Sequence, residues 1–181
     1  MKRERKLQIG VMGSAADLKY SEEIEKLAEA IGYEIASSDN ILVFGAEKDS
    51  DSLSTAACRG AKKADGLTVG ITYGKGKDIY DKNADVIIPT GLERGGGREF
   101  VLALSCDVMI LISGGSGTLT EAAIAYQANI PIVALTETGG WSEKLAGTYI
   151  DGRGRVKIEP AATAQEAVKK AIELAGAYGS K

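Results

Sequence analysis

Short apolar runs alternate with amphipathic stretches along almost the whole chain. Because these runs contain few polar positions, they predict strands of a parallel sheet that helices cover on both faces. The pattern shows no internal boundary, so we predict one α/β domain over residues 1–181, built on a doubly wound parallel sheet. The predicted strands cover residues 7–13, 41–45, 67–71, 85–88, 108–112, 131–135 and 156–158.

The stretches between the runs have helical spacing. In the first of them, Ser21 is a candidate N-cap and the apolar positions from Ile24 to Ile31 follow the i, i+3, i+4, i+7 pattern. Gly32 is predicted to end this helix. A capping box formed by Thr163 and Glu166 opens the last one. The other predicted helices cover residues 51–64, 98–106, 122–128 and 141–146.

A glycine-rich turn between the strand at 108–112 and the following helix carries the strongest functional signal. Glycine lets the backbone approach a ligand closely, and the start of a helix attracts anions. The turn therefore predicts a phosphate site. A second interpretation needs no ligand, because Thr118 and Glu121 also have the T-x-x-E spacing of a capping box. The predicted phosphate-binding residues are Gly114, Gly115, Ser116, Gly117 and Thr118.

Four loops follow strands of the predicted sheet, and ligands of such sheets bind where the strand order reverses. We expect the loops to converge there, which adds Gly13, Ser14, Gly45, Thr90, Gly91 and Gly97 to the candidate ligand-binding residues. Arg98 opens a predicted helix, where a cation is unfavourable beside the helix dipole. It is therefore expected to face an anion, either a ligand phosphate or Glu121, whereas Arg94 is interpreted as a surface residue.

Composition limits the partners and the compartment. The formal net charge is −3, so no basic field predicts a nucleic-acid partner. No apolar run approaches the roughly 20 residues of a membrane span, and the N-terminus lacks the apolar core of a signal peptide. We therefore expect a cytoplasmic protein without a membrane or nucleic-acid partner, and we interpret residues 1–6 as a flexible, solvated tail.

The chemistry available to the chain is also restricted. The sequence contains no histidine, which excludes Ser-His-Asp and Cys-His catalysis and the commonest zinc sites. Its two cysteines, Cys58 and Cys106, have no metal-knuckle spacing and are interpreted as small buried apolar residues. No metal site and no resident cofactor are assigned.

The order of Arg98, Asp107 and the run from Gly114 to Glu121 resembles the Lonely Guy (LOG) type of Rossmann protein, once called "possible lysine decarboxylases". The resemblance implies a Rossmann-like fold and a nucleoside 5′-monophosphate phosphoribohydrolase that releases a base and ribose 5-phosphate. It also implies that Arg98 and Glu121 are the catalytic pair and that the glycines and Thr118 bind phosphate. Arg98 would orient the ligand, and Glu121 would assist departure of the base or attack of water.

A sister branch with molybdenum cofactor carrier-like proteins is more similar still. The similarity rests on residues 66–71, on Ile88-Pro89-Thr90-Gly91 and on Gly139-Gly140-Trp141, and it extends from about residue 10 to residue 175. It implies a homodimer or homotetramer. The small residues Ala122, Ala123, Ala125 and Ala128 would permit close helix packing between subunits.

The chain departs from the LOG motifs at several positions. Ser113 stands where those enzymes have proline, Glu99 where they have lysine, and Val101 where they have a further acidic residue. An acidic segment, residues 45–52, replaces their second glycine-rich loop. Its acids would repel a phosphate and could instead meet a ribose hydroxyl, a base or a cation, or simply face solvent. These acids are Glu47, Asp49 and Asp51.

Two functions remain open from the sequence. The first is a LOG-like protein that binds a nucleotide or other phosphorylated small molecule, with phosphoribohydrolase activity as its most concrete form. The alternative is a non-catalytic carrier or sensor of a phosphorylated ligand such as molybdenum cofactor. Two other classes are disfavoured. A lysine decarboxylase is disfavoured because nothing marks a pyridoxal-phosphate lysine, and an NAD-dependent oxidoreductase because the turn at 13–17 lacks G-x-G-x-x-G.

Overall fold

The computed structural model describes residues 5–93 and 95–178, which form one α/β domain. Its strands are β1 (Gln8–Gly13), β2 (Ile41–Gly45), β3 (Thr68–Thr72), β4 (Val86–Pro89), β5 (Val108–Ile112), β6 (Ile132–Leu135) and β7 (Glu159–Ala161). Its α-helices are α1 (Glu22–Ser37), α2 (Leu53–Lys63), α3 (Arg98–Leu104), α4 (Ser116–Gln127), α5 (Gly140–Leu145) and α6 (Ala164–Tyr178).

The seven strands form a parallel sheet in the order β4-β3-β2-β1-β5-β6-β7. The chain starts in the middle of the sheet, moves outward to β4, and returns to place β5 beside β1, with Gly13 opposite Ile112. This reversal is the topological switch point at which α/β sheets bind ligands. The prediction of a Rossmann-like doubly wound sheet is confirmed.

Helices cover the sheet on both faces, as predicted, and two separate cores result. On one face, α1, α2 and α6 pack over a core that includes Ile9, Phe44 and Ile110. On the other face, α3, α4 and α5 pack over a core that includes Met109 and Leu111. The alternating orientation of side chains along β5 supplies both cores, which explains why this strand is apolar at every position.

The predicted end of the first helix at Gly32 is wrong, because α1 continues to Ser37. Gly32 is instead a contact with α2, since a Cβ there would lie 1.8 Å from the carbonyl oxygen of Ala57. Gly60 of α2 makes the reciprocal contact with the carbonyl oxygen of Glu29, again at 1.8 Å for an added Cβ. These glycines let two helix backbones touch, which outweighs their poor helix propensity.

Two further predictions are wrong. The last strand covers residues 159–161 rather than 156–158, because the N–H and C=O of Ile158 bond to Thr148 and Gly147 instead of β6. The Thr118–Glu121 capping box does not form either. Helix α4 begins at Ser116 with Gly115 as its N-cap, so Thr118 already lies within the first turn.

The remaining sequence expectations concern the cysteines and the N-terminus. Cys58 and Cys106 are free and buried, as predicted. Of the predicted tail, residues 1–4 lie outside the described residues, while the Arg5 side chain pairs with Asp107 at 2.6 Å. In the part of the chain that the structure describes, no helix is both long enough and apolar enough to span a bilayer.

Candidate ligand site at the switch point

A cavity of about 520 Å³ opens beyond the carboxyl ends of β1, β2 and β5. Its volume is in the range of small-molecule sites. All four loops that the sequence predicts to converge contribute to its wall, together with the first turns of α2, α3 and α4. The lining residues are Gly13, Ala15, Asp17, Leu18, Gly45, Glu47, Ser52, Ser54, Gly95, Gly97, Arg98, Glu99, Phe100, Gly115, Ser116, Gly117, Thr118, Thr120 and Glu121.

The first turn of α4 presents uncapped N–H groups to this cavity. Gly115 is the N-cap and makes no side-chain capping bond. The first N–H groups of a helix have no intrahelical acceptor, and in the described residues none of those from Ser116 to Thr118 has another partner. With the helix dipole, they form a site for a negatively charged group.

Side chains from two other loops hold this turn in place. Ser113 and Gly114 have φ angles of 53° and 101°, both in the left-handed region. Ser14 Oγ accepts a 2.8 Å hydrogen bond from the Gly114 N–H and donates to Ser113 Oγ. Thr138 Oγ1 accepts from the Ser113 N–H at 2.9 Å. Proline cannot adopt a positive φ, so serine at position 113 belongs to a turn that the proline of the LOG motif could not form.

Arg98 lies at the start of α3 with its side chain only 7% exposed. Gly45, at the end of β2, makes room for it, because a Cβ there would be 2.6 Å from Arg98 Nη1. In the described part of the chain, Nε and Nη1 of Arg98 have no hydrogen-bond partner. Buried guanidinium groups without full pairing are costly and therefore mark a site that a ligand can complete.

Two buried carboxylates surround the guanidinium loosely. Arg98 Nη2 lies 3.5 Å from Glu47 Oε1 and 3.9 Å from Glu99 Oε1. Charge-assisted hydrogen bonds are normally about 2.7–2.9 Å long, so both contacts are longer and weaker than a well-formed ion pair. Glu99 Oε1 also accepts a 3.3 Å bond from the Gly95 N–H and so holds the glycine loop against α3.

Glu121 is the third buried carboxyl group, 6% exposed and lining the cavity. Burial raises its pKa to about 8, and Glu99 and Glu47 add to this rise while Arg98 opposes it. Glu121 is therefore mostly protonated at neutral pH. Its carboxyl accepts no hydrogen bond from the described residues, so its proton and its lone pairs are available to a ligand.

The remaining candidate ligand-binding residues do not line the cavity. Ser14 and Gly114 lie behind the first turn of α4 and shape it. Thr90 and Gly91 are not among the lining residues: Thr90 Oγ1 donates to the Thr72 carbonyl, and Gly91 follows β4 near the sheet edge. Arg94 lies outside the described residues.

The three acids of residues 45–52 have different surroundings. Only Glu47 lines the cavity; Asp49 is exposed to solvent, and Asp51 accepts hydrogen bonds from Arg59 at 2.9 and 3.1 Å. Sequence reasoning missed three apolar lining residues, Ala15, Leu18 and Phe100, because they lie just outside the glycine motifs. In the described chain, no three acid, cysteine or histidine side chains are arranged to hold a metal ion.

A doubly wound parallel sheet with an uncapped, glycine-rich helix start at its switch point defines a Rossmann-like protein. The chain belongs to the SLOG cluster4 family, whose model matches residues 6–168.

The proteins similar to this chain include the following three. An uncharacterized protein of Archaeoglobus fulgidus is 33% identical over 129 residues, which cover 71% of this chain and 80% of the relative. The molybdenum cofactor binding protein from Rippkaea orientalis is 28% identical with a TM-score of 0.80, covering 95% of this chain and 99% of that one. The molybdenum cofactor carrier protein from Chlamydomonas reinhardtii is 31% identical with a TM-score of 0.74, again covering 95% and 99%.

Proposed function

We propose that this protein binds a phosphorylated small molecule at the switch-point cavity and carries or senses it without altering it. The uncapped first turn of α4 is the observation that carries the proposal. Gly115, Ser116, Gly117 and Thr118 would hold the phosphate through backbone N–H groups. Gly13, Gly45 and Gly97 would let the other loops approach the ligand closely.

The similarity to the two molybdenum cofactor proteins supports a carrier role over catalysis. Molybdenum cofactor is the candidate cargo that their names suggest. The net charge of −3 favours a small molecule over a nucleic acid. A cytoplasmic location is consistent with the two free, buried cysteines.

A charge placed in the phosphate turn tests the proposal. A Cβ at Gly117 meets no atom within 4 Å, and an acid in the first turn suits the helix dipole. Gly117→Asp should therefore fold normally and yet repel a phosphate. Gly152→Asp is the matched control, because Gly152 is equally unobstructed and does not line the cavity.

The readout is the thermal shift produced by AMP, GMP, CMP, ribose 5-phosphate and a molybdopterin-type ligand. At least one of these should raise the Tm of the wild type and of Gly152→Asp, but not that of Gly117→Asp. Equal shifts in all three proteins would show that the phosphate does not bind at α4.

Phosphoribohydrolase activity is the second candidate function, and the protonated Glu121 beside Arg98 favours it. A carboxylic acid with a pKa of about 8 can donate a proton to a departing base at neutral pH. Arg98 would orient the ligand and offset its charge. Glu121→Gln should then abolish release of base from a nucleoside monophosphate while leaving ligand binding almost unchanged. Unchanged turnover would reject this role.

We also propose a homodimer or homotetramer that uses the groove between α3 and α4. Phe100 and Leu104 are 56% and 57% exposed on α3, beside a groove to which Ala123 and Ala128 contribute. Ala122 and Ala125 pack into their own core instead. Leu104→Glu should reduce the molar mass measured by light scattering to that of a monomer, and an unchanged mass would exclude this surface.

A further inference from the structure

The ligand cavity adjoins a second concave surface, the groove between α3 and α4. The groove has a volume of about 580 Å³, and it shares two wall residues, Phe100 and Thr120, with the ligand cavity. Phe100 follows Arg98 by two positions, and Thr120 directly precedes Glu121. A molecule that fills the groove therefore meets residues that a ligand in the cavity meets as well.

Two helices connect the cavity with the groove. Helix α3 begins with Arg98 at the cavity and ends with Leu104 at the groove. Helix α4 presents Gly117 of its first turn to the cavity and Ala123, further along, to the groove. The two helices pack against each other. Packed, rigid elements of this kind can carry an energetic coupling between two sites.

The chemistry of the groove fits a second copy of this chain. Among the described residues that line it none is charged, and only Thr120 and Gln127 are polar. Phe100 and Leu104, one turn apart on α3, are more than half exposed beside a wall to which the small Ala123 contributes. An isologous contact presses a surface against its own copy, so an apolar ridge has to lie next to a recess. The surface of α3 and α4 offers both.

Extending the proposed function, on which this inference rests, we propose that occupancy of the cavity and self-association through the groove are coupled, each strengthening the other. A second copy in the groove packs against Phe100 and restrains a side chain that is 56% exposed in the single chain. A ligand that contacts the same ring then meets a wall that is already ordered, and it loses less conformational entropy on binding. Because such a coupling is reciprocal, the ligand in turn strengthens the association.

Variants of Leu104 test the coupling, because Leu104 lines the groove and not the cavity. Leu104→Glu and Leu104→Lys should both be monomers by light scattering. Calorimetric titration with AMP, GMP, CMP, ribose 5-phosphate and the molybdopterin-type ligand then compares them with the wild type. Every compound that binds the wild type should bind both variants at least about fivefold more weakly. A direct effect of the new charge on an anionic ligand would instead have opposite signs in the two variants.

A control and the reciprocal measurement complete the test. Leu67→Glu should keep the molar mass and the affinity of the wild type, because Leu67 is 43% exposed and lines neither the groove nor the cavity. In sedimentation experiments on the wild type, a saturating amount of the compound with the largest thermal shift should lower the dissociation constant of the assembly at least about fivefold. Phe100→Ala removes the shared ring and should reduce this effect to less than about twofold.

The outcomes separate this inference from the proposed function. If a compound binds the monomeric Leu104 variants as tightly as the wild type and Gly117→Asp abolishes its binding, the phosphate site stands and the coupling is overturned. A wild type that is monomeric at every concentration with and without that compound overturns the coupling as well. If no compound of the panel binds the wild type, the proposed function and the coupling are both overturned.

Discussion

The two faces of the sheet use glycine in opposite ways. Under α1 and α2, Gly32 and Gly60 remove side chains so that two helix backbones touch, and no space is left. On the other face, Gly115 and Gly117 open the start of α4, where the N–H groups meet a cavity instead of protein. The same residue type thus builds a rigid support on one face and exposes the backbone on the other.

The two faces also differ in how closely their arginine side chains are paired with acids. Arg59, beside α1, binds Glu25 at 2.5 Å and Asp51 at 2.9 Å, a partly exposed network with short contacts. Arg98, on the face with the cavity, is more deeply buried, and its acidic partners among residues 5–93 and 95–178 lie 3.5 and 3.9 Å away. Short ion pairs thus characterise the face that supports the site, whereas incomplete pairing of Arg98 characterises the site itself.

The largest effect expected from this comparison is on stability. Gly60→Ala places a Cβ 1.8 Å from a backbone oxygen, so we expect the free energy of unfolding to fall by about 3 kcal/mol or more. Gly117→Ala meets nothing within 4 Å and should change it by less than about 1 kcal/mol. Urea denaturation measures the free energy of unfolding of both variants. Equal losses would contradict the claim that glycine permits close packing on one face and opens the backbone on the other.

The next effect concerns the pH dependence of stability. Burial raises the pKa of Glu121 from 4.5 to about 8, so between these values the native state holds a proton that the unfolded state has released. Stability must therefore fall as pH rises through this window, by on the order of a few kcal/mol. Glu121→Gln should flatten the decline between pH 5 and pH 8, as followed by thermal unfolding. A variant with the slope of the wild type would place the Glu121 pKa near its ordinary value.

A smaller effect is expected behind the phosphate turn. Ser14→Ala removes the acceptor of the Gly114 N–H and leaves that buried donor unpaired, at a cost of about 1–3 kcal/mol. Because Ser14 does not line the cavity, ligand affinity should fall only to the extent that the turn loosens. Ser142→Ala, which loses bonds to the Leu111 and Leu135 carbonyls and does not line the cavity, is the control for loss of a buried hydroxyl. Loss of affinity without loss of stability would mean that Ser14 touches the ligand directly.

Sequence reasoning predicts the sheet well because parallel strands must be apolar on both sides, as β5 illustrates. It fails where a glycine has a tertiary role: Gly32 has the local pattern of a helix end, and only the approach of α2 explains it. The switch-point loops are predictable from topology, which brings Gly13, Gly45 and Gly115 together. The partners of Glu47 and the exposure of Phe100 cannot be predicted in this way, because they depend on how α3 packs against β2.

Recovery of the ligand tests the central claim most directly. The wild type is incubated with GMP, the hydroxymethylpterin phosphate ester or ribose 5-phosphate, the complex is isolated, and the ligand is released by heat and chromatographed. We predict that at least one compound is recovered intact from the wild type and that none is recovered from Gly117→Asp. Recovery of free base would establish the hydrolase instead, and equal recovery from both proteins would contradict the assignment of the phosphate to the first turn of α4.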